Sequence, residues 1–409
     1  MKKIKNILIL AGGENTRFWP LNYKNLFYFL GKPLLYHLIN SVSKYTNNIV
    51  IVIHPSLKNK PELKKMPNIH FVVQKSKITG MAGAIISAKE KINGEVLILN
   101  ANDLIDFNKL KNIIKLKDKN DLILMARSVD KYFSGGYLKF KSGKLNSIIE
   151  KPDHNNVPSD LIKLVVDYFK DVKKLIDILK VTKSKSDNIY EKAITKLIQN
   201  VNTGYLKYNK YWYTIKYPWH ILEVMNFFLL KIKKSKISPS ALISKSAIIK
   251  GPVIIKSNVK IGDFVKIVGP CFIDEKTIIA DYTLIRNSHI GKKCLIGARS
   301  EIARSYIGNN TLLHQNYIGD SVLGNNVLFG AGAITANFRF DEKIIKSSIK
   351  NININTNLQK FGAIVGNNSK IGVNATLLPG VKIGENCRIM PGKIIQKDIE
   401  DNVFFGKKK

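Results

Sequence analysis

The chain has 409 residues, which is too long for one ordinary domain and predicts two or three. A hydrophobic fraction of 45% excludes an intrinsically disordered protein, and the absence of any run of about eighteen apolar residues argues against a membrane span. The net charge of +36 comes mainly from lysines spread along the chain, without an arginine-rich arm or an aromatic RNA-binding motif. This dispersed distribution argues against nucleic acid as the main partner, while the positive charge itself favours anionic ligands such as nucleotides and coenzyme A.

Residues 1–228 alternate apolar runs with amphipathic patterns, beginning with NILILA, PLLYHLINSVSKY and NIVIVIH. Buried strands that alternate with helices predict βαβ units and a mostly parallel, Rossmann-like α/β sheet. The lysines before the first apolar run could mimic a secretion signal. Because that run is only about five residues long and ends in a glycine loop, a buried first strand is predicted instead. Residues 219–236 (WHILEVMNFFLLKIKKSK) predict a connecting helix, and its end at 229–236 is the predicted linker.

In the second half, an isoleucine recurs every six residues from Ile237 to Ile285, and after single-residue slips the pattern resumes up to Ile395. Neither an α-helix nor a flat strand has a period of six, whereas a triangular coil of three short strands does, with Gly and Asn at its corners. Residues 237–409 are therefore predicted to form an all-β left-handed parallel β-helix of hexapeptide repeats. Residues 331–359 break the pattern and predict a loop projecting from one face, which is a common place for a binding site.

The first candidate site is the loop that follows the first strand and contains Leu10, Ala11, Gly12, Gly13 and Arg17. Its glycines would let the backbone approach a phosphate, whose charge the N–H groups would stabilise. An arginine at the end of the loop could donate to two phosphate oxygens at once. On these residues alone, a tight strand-to-helix turn is an equally good interpretation.

The longer context resembles the sugar-1-phosphate nucleotidylyltransferases. The resembling residues are LAGGENTRFWPL, Lys24, residues 31–33 (GKP), Gln74, residues 80–84 (GMAGA), Asn102-Asp103, residues 135–137 (GGY) and residues 149–152 (IEKP). The resemblance implies that Leu10, Ala11, Gly12, Gly13, Gln74 and Gly80 bind the nucleotide, that Arg17 and Lys24 are catalytic, that Asp103 holds Mg²⁺, and that Gly136, Glu150 and Lys151 bind the sugar. In this chemistry Arg17 would stabilise the leaving pyrophosphate and Lys24 would bind the sugar phosphate.

Two departures from that family pattern affect the predicted activity. Thr214 stands where the family has a second metal-holding aspartate, and a neutral hydroxyl is expected to weaken Mg²⁺ binding. The segment after Pro152 also lacks the family's Asn-Ala-Gly sugar-binding element. The nucleotide base and the sugar stay open, so guanylyl or thymidylyl transfer and glucose- or mannose-1-phosphate are alternatives.

Residues 314–320 (HQNYIGD) and 330–340 (GAGAITANFRF) resemble the hexapeptide acyltransferases, and more narrowly the acetyltransferase half of the bifunctional, archaeal-type enzymes that make UDP-N-acetylglucosamine. The resemblance implies that His314 is the general base toward the sugar amine, a task that suits a group titrating near neutral pH. It also implies that Asn337 and Phe338 bind the sugar, with Arg304 as a candidate for its phosphate. Phe338 replaces a tyrosine of the family and so lacks one hydrogen bond. Acetyl-CoA lies between neighbouring β-helices in this family, which implies a homotrimer.

Together the two resemblances imply a bifunctional enzyme that transfers acetyl from acetyl-CoA to glucosamine-1-phosphate and then uridylyl from UTP to the N-acetylglucosamine-1-phosphate formed, with release of pyrophosphate. Three scattered cysteines without metal or redox spacing predict a reducing, cytoplasmic setting: Cys271, Cys294 and Cys387. Two alternatives stay open. One is an acetyltransferase whose nucleotidylyltransferase domain is weakened or uses another sugar, and the other is a non-catalytic regulatory subunit that only binds nucleotide-sugar.

Overall fold

The computed structural model describes residues 2–64, 66, 69–75, 78 and 80–406. The chain divides into two compact units, and each is described by itself. The first unit comprises Met1–Glu14 and Pro33–Thr214, and the second comprises Asn15–Lys32 and Ile215–Lys409. The segment Asn15–Lys32, which includes Arg17 and Lys24, therefore belongs to the second unit.

The first unit is built on a mixed sheet. In the described residues its strands lie in the order Lys144–Glu150, Gly136–Lys141, Leu161–Phe169, Val96–Asn100, Asn6–Ala11, Asn48–Ile53 and His70–Val73, while Leu122–Ser128 pairs with Leu161–Phe169 and with Thr203–Lys207. The first strand is buried throughout, as predicted, and runs parallel to both neighbours. Leu161–Phe169 runs antiparallel to its neighbours. The predicted α/β sheet is therefore confirmed as parallel around the first strand and again between Leu122–Ser128 and Thr203–Lys207, while the antiparallel pairings of Leu161–Phe169 make it mixed rather than mostly parallel.

Short helices cover this sheet. The α-helices of the first unit are Leu34–Val42, Pro61–Lys64, Gly80–Ser87, Leu110–Leu116, Val172–Val181 and Ile189–Ile198, and its 3₁₀ turns are Ser43–Tyr45, Pro55–Leu57 and Phe107–Lys109. Val172–Val181 shows why such segments are helical. The Asp171 carboxylate caps it by accepting from the Lys173 N–H at 3.0 Å, and apolar residues spaced by three and four positions are buried on one side. A separate antiparallel ribbon pairs Asp103–Ile105 with Trp212–Thr214.

The second unit contains a parallel β-helix with three faces, which confirms the fold predicted from the hexads. The described strands of the first face are Lys236–Ile237, Val253–Ile255, Cys271–Ile273, His289–Ile290, Tyr306–Ile307, Val322–Leu323, Ile364–Val365 and Lys382–Ile383. Those of the second face are Leu242–Ile243, Lys260–Ile261, Ile278–Ile279, Leu295–Ile296, Leu312–Leu313, Leu328–Phe329, Lys370–Ile371, Arg388–Ile389 and Phe404–Phe405. Those of the third face are Ile248–Lys250, Lys266–Val268, Leu284–Arg286, Glu301–Ala303, Tyr317–Gly319, Ile334–Thr335, Thr376–Leu377 and Ile394–Ile395.

The interior of the β-helix is a continuous aliphatic column to which each coil contributes inward residues, such as Ile255, Ile273 and Ile290. At the first coil Ile237 stays 45% exposed, because that coil stacks on a neighbour at one side only. One row of corners carries asparagines with positive φ, and their side chains bond from coil to coil. This asparagine ladder comprises Asn310, Asn326, Asn368, Asn386 and Asn402, linked by amide hydrogen bonds of 2.9–3.1 Å.

The interruption of the hexads is an antiparallel hairpin rather than the loop predicted. Its strands are Ile345–Ile349 and Ile352–Leu358. The two turn residues, Lys350 and Asn351, both have positive φ, which is the backbone of the tight turn that suits a two-residue hairpin. The Ser347 hydroxyl donates to the Gly380 carbonyl at 2.8 Å, so the hairpin is tied to the coil beside it.

The connecting helix is shorter than predicted, since it spans His220–Leu229 rather than 219–236. Turn and irregular backbone follow the helix, and by Lys236–Ile237 the chain is already paired with the next coil. The unit also contains the 3₁₀ turn Lys24–Leu26 and the short strands Tyr28–Phe29 and Lys32–Pro33. Across the described residues, every helix is too short or too polar to cross a bilayer.

Candidate functional site

The glycine loop of the first unit lies beside Gln74. Leu10 and Ala11 end the buried first strand, and Gly12 follows them. A Cβ atom on Gly12 would come within 2.3 Å of the Gln74 Oε1 atom, so a larger residue here would displace the Gln74 side chain from its present position. The Gln74 amide donates to the carbonyl of Gly80 at 3.3 Å. The structure thus brings together the residues predicted to bind a nucleotide, and it leaves Gly13 exposed beside them.

The predicted metal ligand lies in the small ribbon of the same unit. Asp103 is 9% exposed, and its carboxylate accepts from the Asn100 amide at 3.2 Å. Thr214 is the direct antiparallel partner of Asp103, so the residue that replaces the family's second aspartate stands opposite the first one. The buried Asn102 Oδ1 atom has no hydrogen-bond partner in the part of the chain that the structure describes. One carboxylate beside neutral oxygens fits a magnesium ion that takes its remaining ligands from phosphates and water.

The residues predicted to bind the sugar are also adjacent. Gly136 and Glu150 are direct partners in neighbouring antiparallel strands. Lys151 has a positive φ, its backbone N–H donates to the Gly135 carbonyl at 3.0 Å, and its ammonium lies 3.5 Å from the Glu150 carboxylate. These contacts fix the backbone of the Glu-Lys pair while leaving the Lys151 side chain half exposed.

A buried charged cluster beside these residues was not predicted from the sequence. Lys163 and Asp167 form an ion pair of 2.6 Å with side chains at most 2% exposed, and the Tyr190 hydroxyl donates to Asp167 at 2.8 Å. Burial, opposed by Lys163 and reinforced by Glu150, raises the pKa of Glu191 to about 7. Lys163 lies in the segment where the sequence lacks the Asn-Ala-Gly element. The only sequence signal for this ion pair was the spacing of four residues between the lysine and the aspartate.

Arg17 and Lys24 are placed by the second unit. Arg17 is exposed, and its guanidinium has no hydrogen-bond or ion-pair partner among the described residues. Lys24 begins the 3₁₀ turn Lys24–Leu26 and is half-buried. An exposed guanidinium with unused donors is available to an anionic ligand.

The residues predicted for acetyl transfer lie along the third face of the β-helix. His314 is exposed at the corner that precedes the strand Tyr317–Gly319, and Asp320 is at the corner that follows it. Arg304 and Asn337 occupy the same corner as Asp320 in the preceding and the following coil. His314 is therefore at one end of this strand, and the three corner residues are at the other.

Asp320 joins the corner residues into one hydrogen-bonded group. Arg304 donates to both carboxylate oxygens of Asp320 at 2.6 Å, and the Asn337 amide donates to the same carboxylate and to the Tyr317 hydroxyl at 3.2 Å. A Cβ atom on Gly319 would lie 2.6 Å from the Tyr317 hydroxyl and 2.8 Å from the Asn337 amide, so this packing requires a glycine. Asp320 and Tyr317 were not predicted as site residues, although both lie inside the quoted motif.

A cavity of about 650 Å³ opens beside this group within the second unit. Arg304 and Asp320 form part of its wall, and further parts come from the helix His220–Leu229 with the preceding Trp219, from Thr356–Leu358 of the hairpin, and from Asn287 and Lys360. Phe338 is 41% exposed, and its ring lies 5.9 Å from the Lys360 ammonium. The cavity has room for a small phosphorylated sugar, with cationic and hydrogen-bonding groups on one wall.

Comparisons with known proteins match the whole chain. A nucleotidyl transferase family model matches residues 6–228, a model described as GMPPB C-terminal domain matches 232–355, and six bacterial transferase hexapeptide repeats match 362–397. The chain is 31% identical to a bifunctional protein GlmU from Methanocaldococcus jannaschii, over 98% of this chain and 97% of that protein. It is 34% identical to a protein of the same name from Methanococcus aeolicus, with the same two coverages. It is 33% identical to a bifunctional sugar-1-phosphate nucleotidylyltransferase/acetyltransferase from Sulfurisphaera tokodaii, over 97% of this chain and 98% of that protein.

Proposed function

This chain belongs to the bifunctional sugar-1-phosphate nucleotidylyltransferase/acetyltransferase family, and on this premise we propose that it makes UDP-N-acetylglucosamine by two successive transfers. The first transfer moves acetyl from acetyl-CoA to glucosamine-1-phosphate. The second moves uridylyl from UTP to N-acetylglucosamine-1-phosphate and releases pyrophosphate. The observation that supports the proposal is the row of residues on the third face, with the exposed imidazole of His314 at one end of a strand and the hydrogen-bonded group of Arg304, Asp320 and Asn337 at its other end.

In the acetyl transfer, His314 is the general base. Its exposed imidazole takes the proton of the sugar amine as the nitrogen attacks the thioester carbonyl, and coenzyme A leaves as the thiol. Asn337 and Phe338 contact the sugar ring. Arg304 contributes positive charge toward the sugar phosphate, while Asp320 fixes the direction of its guanidinium.

In the nucleotidyl transfer, the Gly12 loop and Gln74 bind the nucleotide, while Gly136, Glu150 and Lys151 bind the sugar. Lys24 binds the sugar phosphate and Arg17 stabilises the charge that builds on the departing pyrophosphate. Asp103 would hold Mg²⁺ beside Thr214. A bound Mg²⁺ neutralises charge on the phosphate oxygens during the displacement.

The Asp103–Thr214 pair favours a second candidate, in which acetyl transfer is efficient and nucleotidyl transfer is weak. A hydroxyl carries no charge and is a poorer Mg²⁺ ligand than a carboxylate. With one carboxylate in the ribbon, metal affinity is expected to fall and the nucleotidyl step to require high Mg²⁺ concentrations.

We also propose a cytoplasmic homotrimer with acetyl-CoA bound between neighbouring β-helices. The three cysteines are buried free thiols, which suits a reducing compartment. Exposed aliphatic side chains form a stripe along the outside of the second face, next to His314. This second-face stripe comprises Ile278, Leu295 and Leu312 on three successive coils. A stripe of this kind on a flat face supports packing against another copy.

The first test is release of free thiol from acetyl-CoA, with glucosamine-1-phosphate as acceptor. His314→Ala should lower kcat by about 10²–10⁴-fold, which is the usual contribution of a general base. His70→Ala removes an exposed imidazole from the first unit and should leave the rate unchanged. No turnover by the parent with any amino-sugar phosphate, or equal rates for the parent and His314→Ala, would contradict the acetyl-transfer assignment.

A further inference from the structure

The segment Asn15–Lys32, here called the anchor segment, packs against the β-helix within the second unit. Phe18, Leu21 and Phe29 of this segment are at most 1% exposed. The Phe29 ring stacks on Phe228 at 5.0 Å, and the Phe27 ring lies 5.3 Å from Tyr306 on the first face. The segment that carries Arg17 and Lys24 is therefore held by apolar packing on the solenoid.

Polar contacts fix the start of the anchor segment to the last coils. The Trp19 indole N–H donates to Asp401 at 3.0 Å, and the Asn22 amide donates to Glu385 at 2.9 Å. The Lys382 ammonium lies 5.3 Å from the centre of the Trp19 ring, within reach of a cation–π interaction. These contacts set both the position and the rotation of the indole.

The hydrogen bond from the Trp19 indole is made to a coil corner that Asp401 already closes in the ordinary way. Asp401 Oδ1 also accepts from the Glu385 N–H at 2.8 Å, and Asp281 Oδ1 accepts from the Asp263 N–H at the same distance in an earlier coil. Asp281 thus closes a corner in the same way, but it has no hydrogen bond from the anchor segment. Closing the corner does not require the indole, so the bond to Trp19 needs another explanation.

Arg17 is two residues from Trp19 and next to the buried Phe18. Its guanidinium has no hydrogen-bond or ion-pair partner of its own among the described residues, so its neighbours in the chain determine where it is held. A reaction slows steeply when a catalytic group is not held in position, because the entropic cost of ordering that group is then added to the activation free energy.

We propose that Trp19 and Asn22 are positioning residues for nucleotidyl transfer and that the last coils of the β-helix, through Asp401 and Glu385, hold Arg17 for that reaction. The inference rests on the proposed function, since it is there that Arg17 is assigned to the departing pyrophosphate. The β-helix then serves both reactions, carrying the acetyl-transfer residues and restraining an arginine used in the other transfer.

The test compares Trp19→Phe and Asp401→Ala with the matched corner variant Asp281→Ala. Each of the first two should lower kcat for pyrophosphate release about fivefold, which corresponds to roughly 1 kcal/mol and to one lost hydrogen bond. The KM for N-acetylglucosamine-1-phosphate should change less than about twofold, because ground-state binding of the sugar does not use this bond. Asp401→Asn keeps an oxygen acceptor and should restore most of the rate.

The double variant Trp19→Phe/Asp401→Ala should be no slower than either single variant, since both remove the same bond. Acetyl transfer should be equal in all variants, which controls for folding. If Asp401→Ala releases pyrophosphate at the parent rate, or is slowed no more than Asp281→Ala, the inference is wrong.

UTP affinity and hydrogen exchange keep the inference testable if the parent turns over too slowly to measure. Titration with UTP in excess Mg²⁺ should then show weaker binding for Asp401→Ala than for Asp281→Ala, with faster exchange at residues 15–32. Equal UTP affinity in the two variants would overturn the inference alone. A parent that neither releases pyrophosphate nor binds UTP would overturn the proposed nucleotidyl transfer, and the inference with it.

Discussion

Thr214 and Asp103 face each other across two short strands, and this pair should decide the rate of nucleotidyl transfer. Thr214→Asp would supply a second carboxylate beside the first, and we expect pyrophosphate release at low Mg²⁺ to rise at least about tenfold because metal affinity rises. The measurement is the rate of release against Mg²⁺ concentration. Thr203→Asp adds the same charge elsewhere in the first unit and should change nothing. If Thr214→Asp leaves the Mg²⁺ dependence unchanged, the ribbon is not the metal site.

His289 should make the β-helix sensitive to acid. Its ring is 3% exposed and stacks between Phe272 and Tyr306 at 4.8 and 4.6 Å. Burial lowers its pKa to about 3 from the usual 6.5. Below pH 6.5 the unfolded chain therefore binds a proton that the folded chain does not, and the free energy of unfolding should fall by about 1.4 kcal/mol per pH unit down to about pH 3.

His289→Phe keeps an aromatic ring in the stack and removes this titration. The difference in thermal midpoint between pH 7.5 and pH 5 should therefore be smaller in His289→Phe than in the parent. His70→Ala, which removes an exposed imidazole, should keep the parent's full difference. Identical pH dependence in the parent and His289→Phe would show that the acid sensitivity has another source.

Candidate site residues could be identified from the sequence as far as they form a local motif. The Gly12 loop and the histidine of HQNYIGD are readable in this way because each is a short run of adjacent residues. Asp320 was not predicted as a candidate because its hydrogen bonds come from Arg304 one coil before it and Asn337 one coil after it, and only stacking of the coils brings the three together.

At the scale of elements, the six-residue period predicted the solenoid because each coil buries one residue per face. The hairpin was missed because its signal is a two-residue turn, Lys350-Asn351, rather than a period. The connecting helix was overestimated because the apolar stripe continues past Leu229, where the helix ends, and strand pairing has begun by Lys236. The local sequence pattern thus predicted which elements form, whereas the residues at which they end depend on the elements next to them.

The second-face stripe predicts an assembly that depends on a few aliphatic side chains. Leu295→Glu combined with Leu312→Glu would bury two carboxylates in any contact made by this face, which is strongly unfavourable. We expect light scattering to give a trimer mass for the parent and a monomer mass for the double variant, with a loss of acetyl transfer. Val181→Glu changes a still more exposed aliphatic residue of the first unit and should leave the trimer intact. A trimer that survives both glutamates would place the interface on another face.

For the whole molecule, the order of the motifs predicted two kinds of architecture in one chain. It did not predict that residues 15–32 pack with the solenoid. A segment is first assumed to pack with the elements next to it in the sequence, and here those elements belong to the first unit. The apolar residues Phe18, Leu21 and Phe29 needed a hydrophobic surface, and the sequence alone does not say which of two surfaces they use.

The asparagine ladder also makes the β-helix sensitive to deamidation. Asparagine is among the residues most prone to chemical change on heating, and hydrolysis of its amide leaves an aspartate. In this ladder the three inner amides, Asn326, Asn368 and Asn386, each donate to one neighbour and accept from another, so a new carboxylate at one of them would replace a donor with an acceptor. Two adjacent conversions would set like charges about 3 Å apart on successive coils, where repulsion is large. Deamidation at one corner would thus favour separation of the coils next to it. The row of hydrogen bonds that stabilises the intact β-helix would then become the place where heating damages it first.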